Sequence, residues 1–278
     1  MVLYLVDYHV HTKRCGHAGG KDRQYIERAI ALGLNELGFA DHVPRFYEPP
    51  TPQKVNERGM AWCDLDEYIR TMTDFKQEYQ GDISLKLGLE VDYVPGWERE
   101  IERIGGNYPW DYLIGSVHFF PEWNYGYIAR ETEHGPEEIF PLYFQRVAEA
   151  AESHLFDTLG HIDLPKRTFQ RLASPVMAEL HRELAARLGK ADAVIELNTY
   201  GIRGSKLSNV GLYPDRALLL LCQQAGVRVT LGSDAHRPQD VGADFETAVR
   251  LLETCGFDEI VTYQKRQVTL VAWRDSPP

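Results

Sequence analysis

Cysteine and long apolar runs are scarce in this sequence, and their scarcity excludes several classes of protein. The four cysteines form no Cys-x-x-Cys pair, which argues against a disulfide scaffold and against a thiolate zinc site: Cys15, Cys63, Cys222 and Cys255. No segment approaches the roughly 18 apolar residues of a membrane-spanning helix. Asp7 interrupts the apolar start of the chain, so we expect neither a signal peptide nor contact with a membrane. A reducing, cytoplasmic location is therefore expected.

Positive charge is also in deficit. The 278 residues include 30 Lys and Arg against 41 Asp and Glu, which gives a formal net charge of −11. Nucleic-acid binding draws most of its affinity from clustered basic residues, so we expect no nucleic-acid partner. A chain of this length can bury a full core without disulfides, and we predict a single domain over residues 1–278.

Short apolar runs alternate along the chain with longer segments of helical periodicity. Seven of these runs are predicted strands, at residues 3–9, 34–41, 83–91, 112–118, 158–161, 193–198 and 227–234. Helices are predicted at residues 23–32, 65–79, 97–104, 136–153, 174–188, 213–225 and 245–255, and a last strand pair at 259–263 and 267–273. Strands that are apolar almost throughout are typical of parallel sheets covered on both faces. The pattern predicts an α/β fold, and the number of units favours a barrel over an open sheet.

Most of the ten histidines lie at or just after the carboxyl ends of the predicted strands: His9, His11, His17, His42, His118, His161 and His236. In an α/β barrel these strand ends form the catalytic rim. In His9-Val10-His11, and again in Asp234-Ala235-His236, the two polar side chains leave an extended segment on the same side. Each pair can therefore bind one ion. Two long loops, at residues 44–52 and 119–135, follow strands that end in His and are expected to overhang this site.

Glu90 is the carboxylate that best completes this set. It lies among apolar residues at a strand end, where an ionised group is costly to bury without a cation. The alternative is a buried salt bridge to Lys or Arg. Imidazole and carboxylate ligands without a thiolate favour Zn, Mn or Fe. Because the set exceeds what one tetrahedral ion binds, two or three ions are indicated, and such clusters activate water for hydrolysis, most often of phosphate esters.

Eight short motifs span nearly the whole chain: Asp7-Tyr8-His9-Val10-His11-Thr12, Cys15-Gly16-His17, Phe39-Ala40-Asp41-His42, Gly88-Leu89-Glu90, Gly115-Ser116-Val117-His118-Phe119, Gly160-His161-Ile162-Asp163-Leu164, Glu196-Leu197-Asn198-Thr199 and Gly232-Ser233-Asp234-Ala235-His236. Together they resemble the PHP (polymerase and histidinol phosphatase) family, and within it the histidinol-phosphate phosphatase branch. The resemblance implies a distorted (β/α)7 barrel with the metal site at the C-terminal rim of the strands.

The same resemblance implies a centre of three divalent metal ions. One ion would be held by His9, His11, Glu90 and Asp234, a second by Glu90, His118 and His161, and the third by His17, His42 and His236. Glu90, Asp234 and His236 are the expected catalytic residues. The mechanistic hypothesis is an in-line attack on phosphorus by a hydroxide that bridges the first two ions.

Four further residues are candidate substrate contacts: Arg203, Asn198, Ser116 and Lys13. For Asn198 and Ser116 the alternative is a hydrogen bond to a residue that supports the metal ligands. The guanidinium of Arg203 lies in a Gly-flanked turn and can fork onto phosphate oxygens. Lys13 follows the His-x-His pair, and either assists phosphate binding or lies on the surface. Three aspartates lie one or two residues from predicted ligands and are expected either to orient imidazoles or to cap loops: Asp7, Asp41 and Asp163.

The function implied by the resemblance is hydrolysis of L-histidinol phosphate to L-histidinol and phosphate, a late step of histidine biosynthesis. The alternatives within the family are a phosphoesterase for another small phosphorylated metabolite or nucleotide, and a nuclease, which the acidic net charge disfavours. A barrel that serves only as an interaction scaffold is disfavoured by the complete set of ligands. The expected partner is a small phosphorylated substrate, and the sequence is compatible with a monomer or a homo-oligomer.

Overall fold

A parallel sheet forms the centre of the fold. The computed structural model describes residues 3–47, 59–123, 126–128, 133–169, 171–204 and 210–274. Its strands are β1 (Val6–Val10), β2 (Glu36–Phe39), β3 (Ser84–Asp92), β4 (Tyr112–Ser116), β5 (Phe119–Phe120), β6 (Gly126–Tyr127), β7 (Thr158–Leu159), β8 (Val194–Asn198), β9 (Arg228–Gly232), β10 (Glu259–Gln264) and β11 (Gln267–Ala272).

Seven of these strands form one parallel sheet in the order β1-β2-β3-β4-β7-β8-β9. A parallel bridge between Val10 and Ala235 brings β1 next to the end of β9, so the sheet is nearly closed into a barrel. The backbone N–H of His11 donates to the carbonyl of Ala235 at 2.9 Å, and the N–H of Ala235 donates to the carbonyl of His9 at 3.0 Å. The predicted seven-stranded barrel is confirmed.

Helices surround the barrel: α1 (Asp22–Leu32), α2 (Leu65–Glu78), α3 (Glu98–Asn107), α4 (Pro136–Glu152), α5 (Ser174–Lys190), α6 (Tyr200–Gly204), α7 (Arg216–Gln224) and α8 (Phe245–Cys255). The seven predicted helices are present, and the short α6 is an addition. The predicted start of α7 at residue 213 is wrong. Tyr213 instead pairs with Asn198 in an antiparallel bridge, and Asp215 caps the helix by accepting from the N–H of Leu218 at 3.0 Å. None of the described helices is long and apolar enough to cross a membrane.

The barrel interior contains close-packed tyrosines. The rings of Tyr8 and Tyr112 lie 5.2 Å apart, and the hydroxyl of Tyr112 donates to the carbonyl of Tyr8 at 2.6 Å. A side chain at Gly38 or Gly88 would place its Cβ 2.3 Å from the Tyr112 ring or hydroxyl, so both positions require glycine. Tyr263, from the antiparallel β10–β11 hairpin, stacks on Tyr112 at 5.4 Å. Because Tyr112 begins β4, this hairpin lies toward the amino ends of the strands, opposite the histidines.

The two predicted overhanging loops lie partly outside the described residues. The structure describes 44–47 of the first loop, and 119–123, 126–128 and 133–135 of the second. In the second loop, the sequence analysis missed a short antiparallel pairing of β5 with β6. Two-residue strands have no periodicity to detect, because alternation needs several residues to be visible.

Candidate metal centre

The carboxyl ends of the parallel strands carry all nine predicted ligands, and the structure brings these side chains together. His9 lies in β1 and Glu90 in β3, and the remaining ligands follow strand ends within a few residues: His11, His17, His42, His118, His161, Asp234 and His236. Consecutive parallel strands end at the same edge of a barrel, so residues far apart in the chain meet there.

Glu90 lies at the middle of the cluster and is 1 % exposed. Its Oε1 lies 3.1 Å from Nε2 of His161 and 3.5 Å from Nε2 of His118. Its Oε2 lies 2.7 Å from Nδ1 of His42, 3.4 Å from Nε2 of His9 and 3.6 Å from Nε2 of His11. The ion-pair partners of Glu90 are thus imidazoles, and within the described part of the chain no Lys or Arg takes the place expected of a buried salt bridge.

Asp234 is the second carboxylate that faces the imidazoles of the cluster. Its Oδ1 lies 3.1 Å from Nε2 of His11, 3.4 Å from Nδ1 of His236 and 3.9 Å from Nε2 of His9. Asp234 has a φ of 53°, in the left-handed region that non-glycine residues seldom adopt, and His161 has a φ of 26°. Backbone strain of this kind concentrates at functional sites, where the surrounding structure holds it in place.

The nitrogens of His17, His42 and His236 form a neighbouring group in which the ligand atoms lie within 4.8 Å of one another. Nε2 of His17 and Nε2 of His236 are 2.9 Å apart. The Sγ of the buried Cys15 also lies within 4.8 Å of the ligand nitrogens of His11 and His236. Cys15 was not a predicted ligand, because only paired cysteines indicate a metal site in a sequence.

Buried polar atoms without hydrogen-bond partners indicate whether a metal ion fits in the cluster. Nε2 of His9 and Nε2 of His11 are both buried, and neither has a hydrogen-bond partner within the described residues. A buried polar atom without a partner costs about 1–3 kcal/mol, and binding a cation removes that cost. Imidazole and carboxylate donors are those that divalent transition metals take in hydrolases. The donor set therefore fits one or more divalent metal ions.

The imidazoles and carboxylates of the cluster shift one another's pKa. Burial lowers the pKa of His9, but Glu196, Glu90 and Asp234 raise it more, so that the pKa lies well above its ordinary value. Burial raises the pKa of Glu90, yet the facing imidazoles, His42 first, hold it well below the usual range. The lowered pKa of Glu90 favours its ionised form, the form in which a carboxylate binds a metal ion.

Two carboxylates orient the imidazoles, and neither was among the predicted site residues. Nδ1 of His9 lies 2.7 Å from Oε1 of Glu196, and Nδ1 of His118 lies 2.7 Å from Oδ1 of Asp92. Metal-ligating histidines usually donate their second nitrogen to such a group. Asp92 is two residues from Glu90 in an extended strand, so the sequence indicates that the two share a face but not which imidazole Asp92 meets.

The three predicted aspartates bind other groups and cap loops. Asp7 accepts from the backbone N–H of Ser233 at 2.8 Å and of Gly242 at 2.9 Å. Asp41 accepts from the backbone and hydroxyl of Thr12, and Asp163 accepts from Lys166 and from the N–H of Asp215. Loops that leave strand ends have unpaired N–H groups, which these carboxylates satisfy.

Of the four candidate substrate contacts, two bind carboxylates of the centre. Ser116 donates to Oε1 of Glu90 at 2.6 Å, and the amide of Asn198 donates to Oε2 of Glu196 at 3.0 Å. Both side chains therefore hold a carboxylate in place. Lys13 is exposed in the turn that follows His11.

Arg203 lies in α6, and several groups hold its guanidinium, Thr199 and Ala243 among them. It donates to Oδ2 of Asp244 at 2.9 Å and to the carbonyl of Ser233, next to Asp234, at 2.6 Å. The guanidinium of Arg203 also lies 5.8 Å from the ring centre of Tyr200, and that of Arg167 lies 5.1 Å from the same ring. Tyr200 in turn is 5.8 Å from the ring of His236. Two guanidinium groups thus flank a tyrosine beside the centre, and Arg167 was not among the predicted site residues.

The chain is similar to known proteins over nearly its whole length. A family model described as the PHP domain matches residues 7–200. The "Probable histidinol-phosphatase" of Deinococcus radiodurans is 36% identical, with 95% of this chain and 98% of the relative covered. The "Histidinol-phosphatase" of Bacillus subtilis is 31% identical, with 90% and 98% covered.

The fold is also similar to a solved structure. The histidinol phosphate phosphatase of Lactococcus lactis, crystallised with zinc, L-histidinol and phosphate, superposes with a TM-score of 0.78 at 22% identity, and 96% of this chain and 99% of that chain are covered. At this identity the similarity concerns the fold alone. With the barrel, the histidine-rich rim and the match of the domain model to more than half of the residues, the chain belongs to the PHP domain family.

Proposed function

We propose that the protein is a histidinol-phosphatase, a phosphoric monoester hydrolase that converts L-histidinol phosphate to L-histidinol and phosphate. The observation that carries the proposal is the buried cluster of imidazoles around Glu90 and Asp234 at the rim of a PHP barrel. Two relatives that are 36% and 31% identical to this chain over nearly its full length are named as a probable histidinol-phosphatase and a histidinol-phosphatase. The substrate places the protein in histidine biosynthesis, and we assign it to the cytoplasm.

We assign three divalent metal ions, Zn, Mn or Fe, to three groups of ligands: His9, His11, Glu90 and Asp234; Glu90, His118 and His161; and His17, His42 and His236. The position of Glu90 supports this division, because its two oxygens face different histidines. When bound, such ions polarise phosphoryl oxygens and lower the pKa of water.

The residues of the chain prepare the site for that chemistry. Oε1 of Glu90 faces His118 and His161, and Ser116 holds this oxygen by a hydrogen bond. Oε2 faces His9, His11 and His42. Glu196 and Asp92 fix the rings of His9 and His118, which leaves their Nε2 atoms directed at the carboxylates of the centre. Preorganised ligands lose little entropy and need little rearrangement when a substrate binds.

Arg203 is the proposed phosphate-binding residue. Its guanidinium is fixed beside Ser233 and faces the ring of Tyr200, which lies next to His236. A guanidinium has five N–H donors in a planar fork. In Arg203, Nη1 bonds to Asp244 and its neighbours and one Nη2–H bonds to Ser233, so Nε–H and the second Nη2–H remain for phosphate oxygens. Lys13 is exposed near His11 and is a secondary candidate for the same role.

The extent of the enzyme and its partners follow from the same proposal. We assign the catalytic unit to residues 1–278 as one domain, acting as a monomer or homo-oligomer on a small phosphorylated substrate. The net charge of −11 disfavours an extended polyanion, so nucleic acid is not a proposed partner. The charge of bound ions would still attract a compact phosphate to the rim.

A substrate panel tests the proposal. Purified protein loaded with Zn, Mn or Fe would be assayed for release of inorganic phosphate from histidinol phosphate, nucleoside monophosphates and other small phosphate esters, and for cleavage of single-stranded DNA. We expect histidinol phosphate to have the highest kcat/KM, and Asp234→Asn to lose both activity and bound metal. A higher kcat/KM for a nucleotide or another phosphorylated metabolite, or cleavage of DNA, would replace the proposed substrate.

A further inference from the structure

A chain of two hydrogen bonds leads from the segment after β2 to a ligand of the centre. The hydroxyl of Tyr47 donates to Oδ2 of Asp92 at 2.7 Å, and Oδ1 of the same carboxylate accepts from Nδ1 of His118 at 2.7 Å. All three side chains are buried. Asp92 is therefore held at both oxygens, one by an imidazole of the centre and the other by a phenol outside it.

Tyr47 is firmly packed where it makes this contact. It forms a small buried cluster with Val94 and Phe119, and its ring lies 5.7 Å from that of Phe119. The guanidinium of Arg45, two residues earlier, lies 4.5 Å from the ring centre of Phe119. Residues 45–47 therefore contact the residue that directly follows His118.

The two bonds to Asp92 determine how His118 is presented. A carboxylate held at a single oxygen can rotate about its Cβ–Cγ bond, whereas a carboxylate held at both oxygens cannot. When Oδ1 of Asp92 accepts from Nδ1–H, the lone pair of His118 is left at Nε2, which faces Oε1 of Glu90 at 3.5 Å and Nε2 of His161 at 3.2 Å. Removal of the Tyr47 hydroxyl would leave Oδ2 of Asp92 without this donor in a buried position.

We propose that Tyr47 is a positioning residue for the metal centre: through Asp92 it fixes the ring of His118 and thereby raises the affinity of the centre for its ion. The inference rests on the proposed metal centre and not on the identity of the substrate. It also links the segment that follows His42 to His118, whose ring lies 5.4 Å from that of His42, so these two predicted ligands are joined by protein contacts.

Zinc affinity tests the inference without any assay of hydrolysis. Metal-free wild-type protein, Tyr47→Phe, Asp92→Asn and the double variant would be titrated with zinc in competition with a chromophoric chelator. We expect affinity to fall about 10-fold in Asp92→Asn and about 3-fold in Tyr47→Phe, which acts one bond further from the ion. If Tyr47 acts through Asp92, the double variant binds zinc as Asp92→Asn does, because the second change removes nothing further.

Tyr68→Phe is the matched control. Its hydroxyl is also buried and donates to the carbonyl of Gly88 in the strand that bears Glu90, at 2.9 Å, but it does not contact Asp92. We expect its zinc affinity to equal that of the wild type. Tyr47→Phe retains the ring that packs on Phe119, and the melting temperature of the metal-free variant shows whether packing is preserved.

Two results would overturn the inference. One is a Tyr47→Phe protein that binds zinc as tightly as the wild type. The other is a double variant in which the two losses of affinity add, which would mean that Tyr47 acts independently of Asp92. Zinc affinity tests the role of Tyr47, and the substrate panel tests the proposed hydrolysis of histidinol phosphate. The two measurements are separate, so either proposal can fail while the other holds.

Discussion

Nδ1 of His9 lies 2.7 Å from Oε1 of Glu196, a residue 187 positions away in the chain. The other oxygen of Glu196 accepts from the backbone N–H of His161 at 3.1 Å, so one carboxylate holds two ligands from different strands. The contact leaves no room beside it: a Cβ at Gly232 would lie 1.8 Å from Oε1 of Glu196. The glycine at position 232 is thus required by the approach of this carboxylate to His9.

Replacement of Glu196 should weaken the centre without removing a ligand. In Glu196→Gln the side chain keeps its shape but loses the charge that stabilises the ring of His9, so we expect metal affinity to fall about 10-fold to 100-fold. Zinc titration of the metal-free protein measures the change. Glu259→Gln, at an exposed position in β10, is the control and should bind zinc normally. Equal affinity in both variants would contradict the role of Glu196.

Replacement of Glu90 should have a larger effect, because this carboxylate serves two groups of ligands. Glu90→Gln leaves an amide among five imidazoles, and we expect bound metal and kcat to fall by at least about 100-fold. Elemental analysis and a phosphate-release assay measure the two effects, with the exposed Glu102→Gln as the control. Full metal content in Glu90→Gln would show that this carboxylate is not a ligand.

Replacement of Arg203 separates phosphate binding from structural support. Lysine retains the charge but cannot form the planar fork, so we expect Arg203→Lys to lower kcat/KM for histidinol phosphate about 10-fold and to weaken inhibition by inorganic phosphate. Arg182→Lys, on an exposed position of α5, is the control. A lower melting temperature with unchanged kinetics would indicate that Arg203 only anchors α6 to Asp244 and Ser233.

The stability of the metal-free protein should depend on pH through Asp215, at the start of α7. Burial raises the pKa of Asp215, but Lys166 and the N–H of Leu218 lower it more, so that the pKa is below its ordinary value of 3.8. The native state therefore releases this proton more readily than the unfolded state does. Its stabilising contribution is present above pH 3.8 and is lost as the pH falls through the lower, native pKa.

Asp215→Asn measures that contribution. Asparagine still caps a helix but has no charge, so we expect the variant to be less stable than the wild type by about 0.5–1 kcal/mol at neutral pH. Below pH 3.8 the difference should shrink towards zero. Urea unfolding of both proteins at several pH values gives the difference in the free energy of unfolding at neutral pH and its change below pH 3.8. A difference that grows as the pH falls would have the wrong sign and would contradict the lowered pKa.

Local patterns were sufficient to predict much of the fold. The seven barrel strands follow from continuous apolar runs, and most helices follow from apolar residues spaced at helical intervals. The errors lie where a distant contact overrides the local pattern. Tyr213 and Pro214 continue an apolar segment, yet the pairing of Tyr213 with Asn198 delays the start of α7. The helix predicted over residues 174–188 continues to Lys190 as α5.

The same distinction applies to the centre. The sequence alone determined which residue types reach the rim, because alternation in an extended strand places His9 and His11 on one side, and parallel strands end together. It could not determine which carboxylate meets which imidazole. Asp92 and Glu196 became identifiable as partners of His118 and His9 only when the barrel brought separate strands to within hydrogen-bond distance. Such contacts depend on the register between strands, and no local pattern in the chain encodes that register.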